Sequence, residues 1–391
     1  MWNYVIFAAA ILMLSMGVGE YISAKTKGIF GSILVLSLIY LIGYQVGIIP
    51  DTTPVDTGII AIAGNFGTLM IITNLGTMIN LKQLINEYRT VVIAVVALVL
   101  MGIGFITIGS VLFGKEYALC AYPPVAGAAI SAQMVVQAAN EAGIPVLAGF
   151  AALLVSLQTF VAIPIAGVCL NKYAADVVKT GKLEKLVNST SDKEEKFDFR
   201  VIKKWPEGFN TPNMMAGKVA LVATLATVIG KATGIPGAVL ALVLGVIFNE
   251  LGFLDDNALQ KAGYFNLCML GLVAAILPSF AVLSISDIMS LIVPIVFFLL
   301  LGVVCLGLGG GLVGKFVFKY DFRLSAALGM CAMIGFPFTM ILSNDVVNGM
   351  KLPEEQAQRM TDVILPKMVI SGFVSVTVCS VIIASIVVPY I

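Results

Sequence analysis

Histidine is absent from the 391 residues. That one absence removes His-ligated metal sites, Ser-His and Cys-His nucleophile pairs, and histidine proton relays. Charge is scarce as well. Asp, Glu, Lys and Arg make up 12% of the chain and sum to +1, which leaves no basic surface for nucleic acid. The six cysteines, Cys120, Cys169, Cys268, Cys305, Cys331 and Cys379, stand singly in apolar segments without C-x-x-C spacing, so they read as small core residues. There is no HExxH and no acid pair in a Gly-x-Gly-Asp context, so the chain reads as a non-enzyme with no cofactor.

What remains is strongly apolar. Hydrophobic residues account for 59% of the chain and the mean hydropathy is +1.03, values that a soluble globule does not reach. Charges sit in short runs between uncharged stretches of roughly 20 residues or more, long enough to cross ~30 Å of hydrocarbon as helices. The stretches lack the alternation of barrel strands, so the sequence predicts an all-α polytopic protein of the inner (plasma) membrane. In "MWNYVIFAAAILMLSMGVGE" no basic residue precedes the apolar run, and Lys25 and Lys27 follow it. That order predicts an uncleaved first helix with its N-terminus outside.

Apolar segments fall at 3–20, 28–49, 57–80, 90–113, 117–140 and 144–171, and again at 214–230, 236–250, 262–283, 288–314, 324–348 and 366–390. Between the two series runs a polar linker, 172–213. Residues 172–218 hold ten Lys/Arg and seven Asp/Glu, which predicts a cytoplasmic loop. The series read as two copies of one unit, 1–171 and 214–391. "MGIGFITIGSVLFGK" (101–115) lies over "LGVVCLGLGGGLVGK" (301–315), and "YPPVAGAAISAQMVV" (122–136) over "IGFPFTMILSNDVVN" (334–348), pairing Ser131 with Ser343 and Gln133 with Asp345. The glycine-rich runs precede no βαβ unit and read as close helix packing, not a nucleotide loop.

Counting crossings from an external N-terminus puts the lysine-rich linker on the wrong side unless 117–140 dips into the membrane and returns. The same treatment of 324–348 keeps Lys315, Lys319 and Arg323 before it, and Lys351, Arg359 and Lys367 after it, on the cytoplasmic side. The expectation is therefore two inverted-topology repeats, each with five transmembrane helices and one re-entrant hairpin, and a C-terminus outside. Pro123, Pro124 and Gly127 would turn the first hairpin, Gly335 and Pro337 the second. The alternative is that these residues merely kink ordinary spanning helices. Half-helix N-termini at two hairpin tips would suit an anion, and freed carbonyls with nearby hydroxyl or amide oxygens would suit Na+.

The candidate substrate residues are Tyr122, Pro123, Pro124, Gly127, Ser131 and Gln133 in the first copy, and Gly335, Pro337, Thr339 and Ser343 in the second. Candidate sodium ligands are Asn344, Asp345, Ser156, Gln158, Ser375 and Thr377, with Thr159, Asn65, Asn74 and Asn266 as further polar groups in apolar surroundings. Asp345 is an acid inside an apolar segment, a costly placement that points to function. It also lies about 12 Å from the hairpin tip at helical rise, near enough to the interface to be solvated.

In layout the chain resembles the sodium/glutamate symporters and the related 2-hydroxycarboxylate and bile-acid-type sodium symporters. The resemblance rests on the two five-helix copies, the hairpins at "YPPVAGAA" and "IGFPFTM", the central cytoplasmic loop and the length. It implies Na+-coupled symport of a small organic anion, a carboxylate or an amino acid such as glutamate, by an elevator movement in a homodimer. The residues themselves leave open proton coupling through Asp345 or Asp362, a neutral or amino-bearing substrate, export, and a channel or sensor on the same scaffold.

Overall fold

The computed structural model describes residues 5–27, 29–62, 66–78, 81–181, 210–335 and 338–391. All regular structure among them is helical, because in lipid a helix satisfies its own backbone hydrogen bonds. Among the described residues six helices are long and apolar enough to cross a membrane: α1 (Val5–Lys25), α4 (Tyr88–Phe113), α6 (Pro145–Lys179), α7 (Pro212–Thr233), α10 (Ile285–Phe316) and α13 (Glu354–Tyr390). Between them lie α2 (Ser32–Val46), α3 (Thr68–Met78), α5 (Lys115–Glu141), α8 (Gly237–Glu250), α9 (Phe265–Ala274), α11 (Phe322–Ile334) and α12 (Phe338–Gly349). This is a multi-pass membrane protein.

Several boundaries differ from the sequence reading. Within the stretch 57–80 the helices Ile59–Ile62 and Thr68–Met78 are described, and residues 63–65 and 79–80 lie outside the described residues. The stretch 262–283 is interrupted before Pro278, which has no N–H to continue the ladder and instead starts the short helix Pro278–Ala281. At the linker, α6 stays helical to Lys179, and α7 begins at Pro212, where the Thr211 hydroxyl accepts from the Met214 N–H at 3.3 Å. Residues 182–209 of the linker lie outside the described residues.

Pro123 and Pro124, where a break is expected, lie within the span of α5. The chain nevertheless reverses within it. A straight helix of 27 residues would be about 40 Å long, yet Tyr117 in the first turn packs on Phe150 in the second turn of α6, ring centroids 5.1 Å apart. The Ser131 hydroxyl donates to the Pro123 carbonyl, eight residues back, at 2.8 Å, where eight residues of straight helix would rise ~12 Å. Both ends of α5 therefore lie at the N-terminal end of α6, where Phe150 also meets Phe298 from the middle of α10, 5.9 Å apart.

The second irregular segment enters from the other end. Arg323, opening α11, donates to the Lys172 carbonyl and to Asp176 near the C-terminal end of α6. A straight continuation would carry Leu342 about 28 Å further on. Leu342 instead packs beside Gly167, in the same end of α6. Gly335, at the end of α11, has φ +74, a left-handed conformation that glycine adopts without a Cβ penalty.

These segments pack with α4, α6, α10 and α13 as a bundle, while α1–α3 and α7–α9 form a second layer against it. Within that layer α3 and α8 meet at Gly76, where a Cβ would lie 2.6 Å from the Leu242 carbonyl oxygen. Polar links cross between layers at few places among the described residues: Ser37 Oγ to Ser156 Oγ at 2.9 Å, the Gln45 amide to the Leu283 carbonyl at 2.7 Å, and Lys27 to Asp345 at 2.9 Å.

Candidate functional site

Where the bundle meets the second layer lies a cavity of about 270 Å³. The bundle supplies Gly127 at the reversal of α5, Gly335 and Phe338 at the junction of α11 and α12, Ser156, Gln158 and Thr159 from α6, and Phe373, Val376 and Thr377 from α13. The other layer supplies the N-terminal end of α2 (Gly31–Leu34) and a wall of Met16, Ile71, Leu75, Met78, Phe265, Met269 and Val273. Both chain reversals, approaching from opposite ends of the bundle, thus line one space.

The polar groups are few and they converge. Ser156 donates to Ala152 O at 2.7 Å and accepts from the Ser37 hydroxyl at 2.9 Å. Thr377 lies in a π-helical turn, Ser375–Cys379, and donates to Phe373 O at 2.7 Å, leaving its lone pairs available. The Gln158 Oε1 and Thr159 Oγ1 atoms are buried and have no partner among the described residues. Whichever way the Gln158 amide is turned, a buried polar atom awaits a hydrogen bond or a cation. The first-turn N–H groups of α2 have no intrahelical acceptor, and its N-cap, Gly31, has no side chain to cap them. Among the described residues no charged side chain lines the cavity.

Of the residues singled out from sequence, Gly127, Gly335, Ser156, Gln158 and Thr377 are brought together here, with Thr159. The others lie elsewhere. Tyr122 anchors the first arm of α5 by donating to Leu98 O at 3.1 Å. Pro123 and Pro124 are buried in that arm, and Ser131 is bonded to it. Gln133 is buried and donates to Gln137 at 3.4 Å. Thr339 is buried beside Gly372 with its hydroxyl unpartnered, and Ser343 donates to Thr339 O. Ser375 bonds Ser371 O. Asn344 is half-buried in α12, and the next residue, Asp345, is ion-paired with Lys27 and 30% exposed, a solvated position. Asn74 accepts from the Leu259 N–H and donates to Gln260, tying α3 to the short helix Ala258–Lys261. Asn266 is exposed. Pro337 and Asn65 lie outside the described residues. Sequence reasoning missed the start of α2, although Gly31 and Ser32 before an apolar run are a helix-start signal, and it missed the apolar wall.

No family model and no curated protein matches the chain. Among solved structures, the sodium proton antiporter MjNhaP1 from Methanocaldococcus jannaschii, determined at pH 8, is similar over 98% of this chain and 97% of that one, at 15% identity and a TM-score of 0.47. This corrects the resemblance drawn from layout: the comparison returns a sodium proton antiporter and not a sodium/glutamate symporter.

Proposed function

We propose that the protein is a secondary active carrier, driven by a cation gradient, whose solute binds in the cavity between the bundle and the second layer. The observation that carries the reading is that both chain reversals line one cavity which, among the described residues, has no charged side chain and holds two buried oxygens, of Gln158 and Thr159, without partners. Interrupted helices at membrane depth are tolerated where they face such a cavity. The polar lining comes mostly from the bundle and the facing wall is mostly apolar, so a slide of the bundle along the layer, as an elevator movement requires, breaks few polar links, namely Ser37–Ser156, Gln45–Leu283 and Lys27–Asp345 among the described residues. Methionines in the wall adapt to different contacts.

With no cationic side chain in the lining, the cavity suits a small neutral or amino-bearing organic solute better than a strongly anionic one. With no carboxylate there either, the coupling cation is better held by neutral oxygens than by a titrating acid, and Na+ accepts the Gln158, Thr159 and Thr377 oxygens. Taking the basic end of the bundle as cytoplasmic places both termini outside. A homodimer remains part of the proposal.

The test is a thermal-stability screen of the purified protein against small neutral and amino-bearing solutes, with and without Na+. A ligand specific to the folded state, at 100 times its dissociation constant, adds about 2.7 kcal/mol. The expected hit depends on Na+, is concentrated by proteoliposomes under a Na+ gradient, and is lost in Gln158→Leu. A hit that Gln158→Leu binds as well would move the site elsewhere, and equilibration without accumulation would make the protein a channel.

A further inference from the structure

A second, larger cavity of about 960 Å³ opens at the foot of the bundle, where α4 and α11 begin and α6 and α10 end. Its lining includes the cations Arg89, Lys315, Lys319, Arg323 and Lys367 and the carboxylates Glu87, Asp176 and Asp321. Two of the cations are already matched. Arg323 reaches Asp176 at 2.7 Å and Asp321 at 2.9 Å, and Lys367 holds Glu87 at 2.8 Å.

The other three are not. Among the described residues the hydrogen-bond partners of Arg89 are neutral tyrosine hydroxyls, Tyr88 at 3.2 Å and Tyr320, and Lys315 lies 5.7 Å from the ring of its neighbour Phe316. No carboxylate is within ion-pair reach of Arg89, Lys315 or Lys319 among those residues. The cavity therefore carries an excess of positive charge with donors left over. Its rim marks its depth: Tyr88 and Phe318 meet edge to face at 6.2 Å, and Phe318 meets Tyr320 at 6.4 Å. Aromatic side chains with polar tips collect at the level of lipid headgroups. The first turn of α4 also opens into the cavity, adding unsatisfied N–H groups to the same field.

We infer that this basal cavity binds the phosphate of an anionic ligand at the cytoplasmic membrane interface, through Arg89, Lys315 and Lys319. Phosphate matches the donors because it accepts from several at once, and a headgroup carrying it would sit at the depth the aromatic rim defines. The inference does not depend on what the central cavity transports.

Delipidated protein in detergent would be titrated with phosphatidylglycerol, with phosphatidylcholine and, separately, with inorganic phosphate, reading melting temperature and retained ligand by native mass spectrometry. Phosphatidylglycerol should raise the melting temperature and stay bound. Arg89→Gln/Lys315→Gln/Lys319→Gln should weaken that binding at least tenfold while melting like the parent without lipid. A control, Lys25→Gln/Lys261→Gln/Lys351→Gln, should bind like the parent. Stabilisation by inorganic phosphate but not by the lipid, lost in the same triple variant, would keep the phosphate site and make its ligand soluble. Equal binding of phosphatidylcholine, an unaffected triple variant, or an equal loss in the control would each overturn the site.

Discussion

Gly127 sits at the reversal of α5 against Ser380, and the fit there can be tested atom by atom. A methyl group at position 127 would fall well inside van der Waals distance of the Ser380 side chain and lie 3.1 Å from its Cα, against a comfortable carbon separation of ~3.5–4.0 Å. The Ser380 Cβ cannot swing away, so either the apex of α5 or α13 has to move. Overpacking of this kind costs roughly 1–3 kcal/mol. Because Gly127 lines the central cavity, the shift also displaces a wall of the solute site. Gly127→Ala should therefore lower the melting temperature in detergent and reduce solute uptake in proteoliposomes about tenfold, equivalent to about 1.4 kcal/mol. Ser380→Gly opens the space at a helix cost of roughly 0.5–1 kcal/mol. The double variant should be better than the sum of the two singles by more than about 0.5 kcal/mol, the scatter expected of independent sites. Simple additivity, or a Gly127→Ala protein that melts and transports like the parent, would refute the packing argument.

Three other perturbations probe separate contacts. Lys367→Met strands the Glu87 carboxylate, only 15% exposed, with the Thr90 hydroxyl as its remaining partner; a loss of roughly 3–5 kcal/mol is expected, mostly recovered by adding Glu87→Gln, and chemical unfolding of the three proteins decides it. The Lys27–Asp345 pair is exposed, so Asp345→Asn should change stability by only about 0–1 kcal/mol. Because the pair joins the two layers, the same variant should alter transport turnover, with Na+ activation unchanged and the swap Lys27→Asp/Asp345→Lys restoring the parent rate; a shifted Na+ activation curve would return Asp345 to the ion site. In a cysteine-free background, cysteine at Glu141 should react with an impermeant thiol reagent from outside and cysteine at Leu352 only from inside, and the opposite pattern would invert the orientation used to place the basal cavity.

Much of the central cavity could be read from sequence because its residues are anomalies where they stand. Gly127 follows two prolines, Gly335 interrupts an apolar run, and Gln158 is an amide among aliphatic neighbours. The facing wall carries no such mark. Met16, Ile71 and Met269 line a cavity, but in a bilayer an apolar side chain facing lipid and one facing a solute have the same composition. Asp345 shows the opposite failure. Its charge drew attention to it, and its partner Lys27, on a distant segment, was out of reach of any local pattern. The break before Pro278 in the second layer was hidden because residues 262–283 satisfy a hydropathy window whether or not the helix is continuous.

The dependence of the α5 apex on Ser380 also bears on synthesis. The residue that closes the reversal is made about 250 residues after the reversal itself, which at roughly 5–20 residues per second is a delay of roughly 13 to 50 s. Throughout that interval the first half of the chain resides in the membrane with a bent, proline-bearing helix and unshielded backbone, waiting for α13. A truncated product ending in the linker lacks the surface that would cover that helix, and membrane quality control should clear it quickly. Supplying the second half as a separate polypeptide should rescue it.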